Sequence, residues 1–304
     1  MKEKSLVSVV IPTYNEEENI ANCLKTLIEQ TYYPLEIIVV DDGSTDKSIE
    51  IIKKFPQVKL LKQNHKGPGA ARNFGAKAAR GEILVFLDAD MAFDKSFIER
   101  LTLPIRMGKG IGTFSKDEML KNTNNIWAVC WNINRQVPKD ELYTISDKIF
   151  GFFWNIFTPA KPERMHHPNS SETSPVFRAI LKSEFEKVGG FTPTGEYTDD
   201  WSLSKKLGTK AVNAPGAVFY HTNPVTLSEV WKQARWVGKS EFISGSFLRG
   251  LKSLIKYSLP ISLFLGLVKS IINFKPQFVI FKIWFDLAIF TSVIFSFFGE
   301  QKTK

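Results

Sequence analysis

Two acidic pairs follow hydrophobic runs of strand length in the first third of the sequence. Asp41 and Asp42 come directly after LEIIVV, and Asp88 and Asp90 come with ILVFL before them. Carboxylate oxygens bind hard divalent cations such as Mg²⁺ and Mn²⁺, and they accept hydrogen bonds from sugar hydroxyls. The spacing therefore allows Asp88 and Asp90 to serve different parts of one ligand, a ribose hydroxyl and a metal-bound diphosphate.

A third acidic pair and a histidine lie late in the chain. Asp199 and Asp200 precede WSLSKKL, and His221 ends the run AVFY. A positioned carboxylate can act as a general base, but either aspartate could instead cap the helix that this segment predicts. A lone histidine is compatible with a metal ligand, a general acid or a structural residue.

A glycine-rich turn precedes the predicted third helix. Gly67, Pro68 and Gly69 come just before Arg72, so free backbone amides and a guanidinium could face a phosphate; an ordinary turn with a solvated Arg72 is the alternative. The first strand is not followed by G-x-G-x-x-G, and the sequence has no G-x-x-x-x-G-K-[ST]. Nicotinamide and P-loop chemistry are therefore disfavoured.

These residues need a scaffold, and the hydrophobic pattern predicts a sheet flanked by helices. Short β-rich runs alternate with helical stretches, as in parallel α/β sheets, where ligands bind beyond the carboxyl ends of the strands. The predicted strands are 7–12, 35–41, 58–62 and 83–87, and the predicted helices are 16–30, 44–54 and 69–80.

The positive charge of the chain is concentrated near its carboxyl end. The formal net charge is +9, and residues 231–282 carry nine Lys or Arg against one Glu. These cations alternate with long apolar runs, which favours an anionic membrane surface over nucleic acid as the partner. The amino-terminal segment lacks the features of a signal peptide, so a cytosolic start is expected.

Two apolar segments follow residue 250. The apolar runs 257–268 and 283–298 are each shorter than the ~20 residues of a membrane span. Extending them to 254–272 and 278–298 admits charged residues, among them Lys282 and Asp286 at i,i+4 spacing. We expect a helical hairpin in the membrane, with helices in the interface or a soluble helical cap as alternatives. An uncharged aromatic run at 150–157 predicts either a buried helix or an interfacial surface.

Several motifs together resemble one family of enzymes. They occur in order between residue 7 and about residue 239: VSVVIPTYNEEENI, VVDDGSTDKS, GPGAARNFGAKAARGEILVFLDAD, YTDDWSLSKKLG and KQARWVGKS. They resemble the family 2 glycosyltransferases, whose GT-A fold has a Rossmann-like, mostly parallel sheet flanked by helices. The resemblance implies a catalytic domain over 1–240, with a donor-binding half at about 1–115 and an acceptor half at about 116–240. The charge and apolar patterns predict membrane-associating helices, a hairpin, over 241–304.

The resemblance also assigns roles to the candidate residues. Asp90 and His221 would bind the divalent metal, Mg²⁺ or Mn²⁺; Asp200, supported by Asp199, would be the catalytic base. Arg235 and Trp236 would lie on the acceptor or diphosphate side. The nucleotide sugar would be bound by Pro12, Tyr14, Glu16, Asp41, Asp42, Arg72 and Asp88.

One departure from the family pattern bears on the product. Processive synthases carry Q-x-x-R-W, whereas Lys232 occupies the Gln position here and Gln233 comes one residue late. This departure favours a single sugar transfer. Together, the resemblance and the charge pattern lead us to expect an inverting, metal-dependent enzyme at the cytoplasmic face of the cell membrane. It would move one sugar, a hexose or N-acetylhexosamine, from a nucleotide-diphosphate sugar to a lipid-linked or membrane-proximal glycan. A processive synthase and an inactive nucleotide-sugar-binding scaffold are the alternatives.

Overall fold

The computed structural model describes residues 5–134, 172–193, 199–243 and 247–298, with no side-chain description for 199–200, 239–249 and 296–298. The chain divides into two compact units. One, here the sheet unit, contains residues up to 119 and 171–221; the other, the helical unit, contains 120–170 and 222 onward. The expected boundary at residue 240, between a catalytic domain and membrane-associating helices, separates functions and not compact units, and it stays a prediction. The aromatic run at 150–157 lies outside the described residues.

The sheet unit is built on an eight-stranded mixed sheet. Its strands are β1 Val7–Thr13, β2 Leu35–Asp41, β3 Val58–Lys62, β4 Ile83–Phe86, β6 Gly112–Phe114, β8 Thr173–Ser174, β9 Ala179–Leu181 and β10 Ala211–Asn213. Their order is β3-β2-β1-β4-β9-β6-β10-β8. β1, β2, β3 and β4 pair in parallel, as do β6 and β10, whereas β9 runs antiparallel to β4 and β6. The predicted α/β fold with a large sheet is confirmed.

Helices cover both faces of this sheet because its central strands are apolar on both sides. In β1, Val7, Val9 and Ile11 enter one buried cluster, and Val10 enters the other. This alternation follows from the two-residue period of a strand. The helices of the unit are α1 Ile20–Ile28, α2 Ser48–Ile52, α3 Pro68–Ala78, α4 Phe97–Arg106, α6 Lys182–Lys187 and α7 Asp199–Leu207.

A second, three-stranded sheet is formed by β5 Met91–Phe93, β7 Glu118–Leu120 and β11 Phe219–His221, in the order β5-β11-β7. β11 runs antiparallel to β5, so His221, the last residue of β11, pairs with Met91, the first residue of β5. The residue before Met91 is Asp90. The small sheet therefore brings the end of the D-x-D segment to a histidine more than a hundred residues away in sequence.

In its described residues, the helical unit contains α5 Ile126–Asn134, α8 Leu227–Ile243, α9 Phe247–Lys256, α10 Leu259–Ile272 and α11 Gln277–Phe298. α11 lies at its centre and contacts each of the other helices. α8 approaches α11 closely at Gly238, where a Cβ atom would lie 2.9 Å from the Ser292 Cβ. Only glycine fits this contact without displacing α11.

One described helix segment, Gln277–Phe295, is long and apolar enough to cross a membrane, but half of it is buried inside the protein. Gly250–Lys256 and Leu259–Ile272 pass the same test only together, as one segment bent by 50°. Within α11, the Lys282 Nζ lies 2.8 Å from the Asp286 Oδ1, so the predicted i,i+4 ion pair forms.

Candidate active site

The carboxyl ends of three neighbouring parallel strands form the centre of the candidate site. β1 lies between β2 and β4, and its last residue, Thr13, is in register with Asp41 at the end of β2. Asp88 follows β4 at the same edge. The sequence predicted this grouping because strands that run in parallel end on one side of a sheet.

Asp41 and Asp42 are adjacent and equally buried, but their hydrogen bonds differ. The Asp42 carboxylate accepts hydrogen bonds from the Gln63 side chain at 2.7 Å and from the backbone amides of Lys66 and Gly67, each at 2.9 Å. It therefore holds the loop between β3 and α3. The Asp41 Oδ2 accepts longer bonds from two backbone amides, whereas its Oδ1 is buried with no partner among the described residues.

A pair of rings stands beside this edge. The Tyr14 ring is 45% exposed, and its centroid lies 4.3 Å from that of His65. The His65 Nδ1 lies 3.0 Å from the Asp42 Oδ2, so the carboxylate orients the imidazole. The two ring planes are inclined by 36°, and a nucleobase could stack on an exposed ring face of this pair.

Two arginines hold Asp88. The Arg72 Nη2 lies 2.7 Å from one carboxylate oxygen, and the Arg178 Nη1 lies 2.9 Å from the other. Burial alone would raise the pKa of Asp88, but the charges and hydrogen bonds of Arg178 and Arg72 hold that pKa well below its usual range. Asp88 is therefore a carboxylate at every physiological pH.

The position of each arginine follows from its backbone element. Arg178 comes directly before β9, and its carbonyl accepts a hydrogen bond from the Phe86 amide at 2.8 Å. Because β9 is antiparallel to β4, its beginning lies at the end of β4, next to Asp88. Arg72 lies in the first turns of α3, which begins at Pro68 after Gly67 in a left-handed conformation with φ of 88°. The predicted turn and helix are confirmed, and the described ion-pair partner of Arg72 is Asp88.

Asp90 and His221 meet through the pairing of β5 and β11. The His221 Nε2 lies 2.9 Å from the Asp90 Oδ2. The Asp90 Oδ1 is buried and has no hydrogen-bond partner among the described residues. A carboxylate and an imidazole are donors that suit Mn²⁺, so this pair fits part of a coordination shell. Among the described residues, however, no three His, Cys, Asp or Glu side chains converge to form a full metal site.

Glu16 lies near both aspartates of the D-x-D segment. Burial raises its pKa to about 7, a hydrogen bond from Asn19 opposes this shift, and the charges of Asp90 and Asp88 add to it. The Asn19 Nδ2 donates to the Glu16 Oε2 at 3.0 Å. Glu16 thus senses the negative charge of the site. Pro12 lies in β1, in register with Val40.

The acidic pair at 199–200 forms the start of α7, as its sequence predicted. The side chains of Asp199 and Asp200 lie outside the described part of the structure, so their roles stay predictions. The segment before α7 is anchored near the site: Asn73 of α3 exchanges two hydrogen bonds, each 2.9 Å, with the backbone of Phe191. The Thr192 amide in turn donates to the Ser202 hydroxyl at 3.0 Å.

Arg235 and Trp236 belong to the helical unit, on α8. They line a surface cavity of about 670 Å³ together with Glu229, Trp231, Lys232 and Gln233. Trp236 is 48% exposed, and the Arg235 guanidinium lies 5.8 Å from the centroid of the Phe295 ring. Their assignment to the acceptor or diphosphate side stays a prediction.

With this geometry described, comparison with known proteins identifies the family. The sequence profile of Glycosyl transferase family 2 matches residues 8–189, which is more than half of the chain. The chain belongs to glycosyltransferase family 2. The match includes the ends of β1, β2 and β4 and the two arginines that hold Asp88.

Curated family 2 relatives share part of the sequence. The uncharacterized glycosyltransferase YibD of Escherichia coli is 34% identical over 147 residues, which cover 47% of this chain and 41% of that protein. The poly(ribitol-phosphate) beta-glucosyltransferase of Bacillus spizizenii is 45% identical over 92 residues, 28% of this chain and 14% of that protein. In both relatives the matched segment spans less than half of the protein's length.

A solved structure shares the fold over a longer stretch. The mannosyltransferase PcManGT of Pyrobaculum calidifontis, in complex with GDP-Man and Mn²⁺, superposes with a TM-score of 0.58 over 99% of this chain and 89% of that protein. Sequence identity is 18%, so the similarity supports the GT-A fold and nothing finer.

Sequence reasoning missed two residues of this family 2 site. Arg178 and His65 were not predicted, although each contacts an aspartate that was. Arg178 precedes a short strand whose antiparallel pairing the sequence does not reveal. His65 was detectable in principle, because it lies just before the turn that opens α3, beyond the carboxyl end of β3.

Proposed function

We propose that this family 2 protein is an inverting glycosyltransferase that moves one sugar from a nucleotide-diphosphate sugar to an acceptor hydroxyl. The observation that carries the proposal is the Asp90 Oδ1. This oxygen is buried and lacks a described partner, and it lies on a carboxylate that already contacts His221. A buried carboxylate oxygen without a hydrogen-bond partner is costly unless a ligand supplies one.

The donor nucleotide would bind beside the ends of β1 and β2. Its base would stack on the ring pair of Tyr14 and His65, and the free oxygens of Asp41 and Thr13 would accept hydrogen bonds from it. Pro12 and Asp42 would lie beside the donor, and Asp42 would act through the loop between β3 and α3 that its hydrogen bonds hold. Asp88, which contacts Arg72 and Arg178, would accept hydrogen bonds from the ribose hydroxyls.

A divalent metal would be held by Asp90 and His221, with donor oxygens completing its shell. Mn²⁺ suits the imidazole, and Mg²⁺ would rely more on oxygen ligands. When bound, the metal neutralises the diphosphate leaving group. PcManGT, which shares the fold, was solved in complex with GDP-Man and Mn²⁺, and Mn²⁺ is therefore the first ion to test here.

The protein's own chemical step would be a proton transfer at Asp200. The acceptor oxygen forms a bond to the anomeric carbon from the face opposite the leaving group, the bond to the diphosphate oxygen breaks, and the carboxylate takes the acceptor's proton. The products are an inverted glycoside and a nucleoside diphosphate. Asp199 would orient Asp200 or cap α7.

The acceptor would be a glycan that is lipid-linked or close to the membrane, with the catalytic unit on the cytoplasmic face. Two features support this proposal: the cation-rich sequence between 231 and 282, and the indole-lined cavity that contains Arg235 and Trp236. Aromatic rings with neighbouring charged groups are suited to the apolar faces and hydroxyls of sugars. Lys232 occupies the position of the Gln in the Q-x-x-R-W motif of processive synthases, which favours the transfer of a single sugar.

The proposal is tested by thermal unfolding with a panel of uridine, guanosine and thymidine diphosphate sugars, each with and without Mn²⁺. A ligand that binds only the folded state raises the melting temperature. We expect one donor to stabilise the protein in a metal-dependent manner, and Asp90→Asn to abolish the metal dependence. Glu184→Gln, which changes a carboxylate on α6, is the matched control. The proposal is overturned if no donor stabilises the protein, or if Asp90→Asn keeps the full metal response.

A further inference from the structure

One face of α10 is apolar and exposed to solvent. Leu259, Leu263, Phe264, Leu267 and Ile271 are each between 43% and 72% exposed, and Phe274, just beyond the helix, is 88% exposed. Their spacing places the helical members on one side of α10. The opposite side, which includes Ser262 and Gly266, packs within the helical unit. Exposed apolar faces of this size mark interaction sites on soluble domains.

The described exposed side chains of α10 include no charge. Its one lysine, Lys269, is directed away, because its Nζ donates a hydrogen bond to the Ile133 carbonyl of α5 at 3.1 Å. Cations flank the face in sequence instead: Lys252 and Lys256 are exposed on α9, and the half-buried Lys275 follows α10. The Lys256 Nζ also donates a hydrogen bond to the Tyr257 hydroxyl at 2.9 Å, so Lys252 is the cation beside this face with the fewest described contacts.

We propose that α9 and α10 dock the protein on an anionic phospholipid surface, with α10 lying in the plane of the interface and no helix crossing the bilayer. The apolar face would enter the boundary between headgroups and acyl chains, and the bordering lysines would contact anionic headgroups. Each such cation near an anionic leaflet strengthens binding. The proposal specifies the membrane location proposed above and is independent of the catalytic assignments.

The contacts of α11 argue against a span. The Trp284 Nε1 donates to the Leu227 carbonyl and the Ser292 hydroxyl donates to the Arg235 carbonyl, each at 2.9 Å. α8 therefore runs beside α11 for roughly 12 Å, given the 1.5 Å rise per residue. Within that stretch α8 exposes Glu229, Lys232 and Arg235.

A membrane-spanning α11 would carry those three charges to hydrocarbon depth. Moving a charged side chain from water to the centre of a bilayer is strongly unfavourable. The exposed face of α10 carries no such penalty, because its described exposed residues are apolar. The interfacial arrangement satisfies both observations, and it replaces the hairpin expected from the sequence with one of its two alternatives.

The first test is vesicle flotation of the full-length protein. Vesicles of phosphatidylcholine alone are compared with vesicles that contain one-third phosphatidylglycerol. We expect binding to the anionic vesicles and at least a ten-fold loss in the double variant Leu263→Glu, Leu267→Glu. Met107→Glu, at an equally exposed apolar residue of the sheet unit, should bind like the wild type. Lys252→Glu should weaken binding to anionic vesicles only.

Carbonate extraction of membranes from expressing cells is the second test. An interfacial protein should be released into the soluble fraction, whereas retention in the pellet would indicate a span and overturn the proposal. Failure of the wild type to float would also overturn it. In that case the oligomeric state is measured. A wild-type dimer that the double variant Leu263→Glu, Leu267→Glu converts to a monomer would show that a second copy of the chain covers the apolar face of α10.

Two cross-checks separate this inference from the proposed enzymatic function. The Leu263→Glu, Leu267→Glu variant should retain its thermal stabilisation by the donor, which also shows that it is folded. Asp90→Asn should retain vesicle binding. Vesicle binding without any donor response would leave the docking surface intact and reject only the enzymatic proposal.

Discussion

The two units of this protein differ in where their charged and apolar side chains lie. The sheet unit brings charged side chains inward to the ends of its strands, where Asp88 contacts Arg72 and Arg178. The helical unit leaves apolar side chains outside, along α10. Because a binding surface matches the chemistry of its ligand, the carboxylates of the first unit suit a cation or a hydrogen-bonding ligand, whereas the apolar face of the second matches the lipid surface proposed for it.

Buried charges also differ between the units. In the helical unit, the Asp286 carboxylate is satisfied on both oxygens, by Lys282 at 2.8 Å and by the Ser262 hydroxyl at 2.6 Å. In the sheet unit, Asp41 and Asp90 each keep one buried oxygen without a described partner. A satisfied pair fixes the packing of helices, whereas an unsatisfied carboxylate is prepared for a ligand.

The largest expected effect is on catalysis in the sheet unit. Asp200→Asn keeps the shape of the side chain but cannot accept a proton, so the transfer rate should fall by about 10²–10⁴-fold while donor affinity stays near wild type. Rates are measured with a fixed acceptor, and affinity by donor titration. Asp199→Asn should have the smaller effect. Inactivity of Asp199→Asn with activity of Asp200→Asn would exchange the two roles, and activity of both would reject the mechanism.

The next effect tests the satisfied pair of the helical unit. Lys282→Met should destabilise the protein by about 3–5 kcal/mol, because it leaves the buried Asp286 uncompensated. The double variant Lys282→Met, Asp286→Leu should recover most of this loss, since no charge then remains buried. Chemical denaturation measures both. Equal losses in the single and double variants would show that the pair stabilises the helices by more than mutual compensation.

A smaller effect is expected where the charges of the sheet unit are partly exposed. Arg178→Ala should lower stability by about 1–3 kcal/mol, less than for a fully buried pair, because its side chain is 17% exposed and that of Asp88 is 32% exposed. Arg80→Ala is the control, since Arg80 pairs with Glu36 at the surface and should cost under about 1 kcal/mol. Equal losses of stability in Arg178→Ala and Arg80→Ala would show that the Arg178–Asp88 pair contributes no more than a surface ion pair.

Measured per pH unit, the smallest effect is a pH dependence at Glu16. Its pKa of about 7 in the folded protein exceeds the usual 4.5, so the folded state binds the proton more tightly than the unfolded state. Stability from this group is therefore full below pH 4.5 and declines as the pH rises towards 7, by at most about 1.4 kcal/mol per pH unit. Glu16→Gln should flatten this decline in unfolding experiments with EDTA. An unchanged pH profile would place the charge sensitivity of the site elsewhere.

Much of the sheet unit could be predicted from the sequence. β1 to β4 lie within a residue or so of the predicted strands, because apolar runs bounded by polar residues report local structure directly. The predicted helix at 16–30 is shorter in the structure, where α1 spans Ile20–Ile28. Before it, Asn15 adopts a positive φ of 54°, and the Asn19 amide donates to the Glu16 carbonyl in a turn. That backbone conformation depends on hydrogen bonds between Asn15 and the loop at Ser44 and Thr45.

By itself, the sequence determined the fold class, the family, the acidic pairs at the strand ends and the Lys282–Asp286 pair within one helix. All of these depend on local pattern or on spacing along a single element. Tertiary structure alone decided that Arg178 and His221 reach the D-x-D segment, because antiparallel pairing joined residues about ninety and 131 positions apart in sequence. It also decided which face of α10 stays exposed, since hydrophobicity marks a side chain for burial but does not name the surface that covers it.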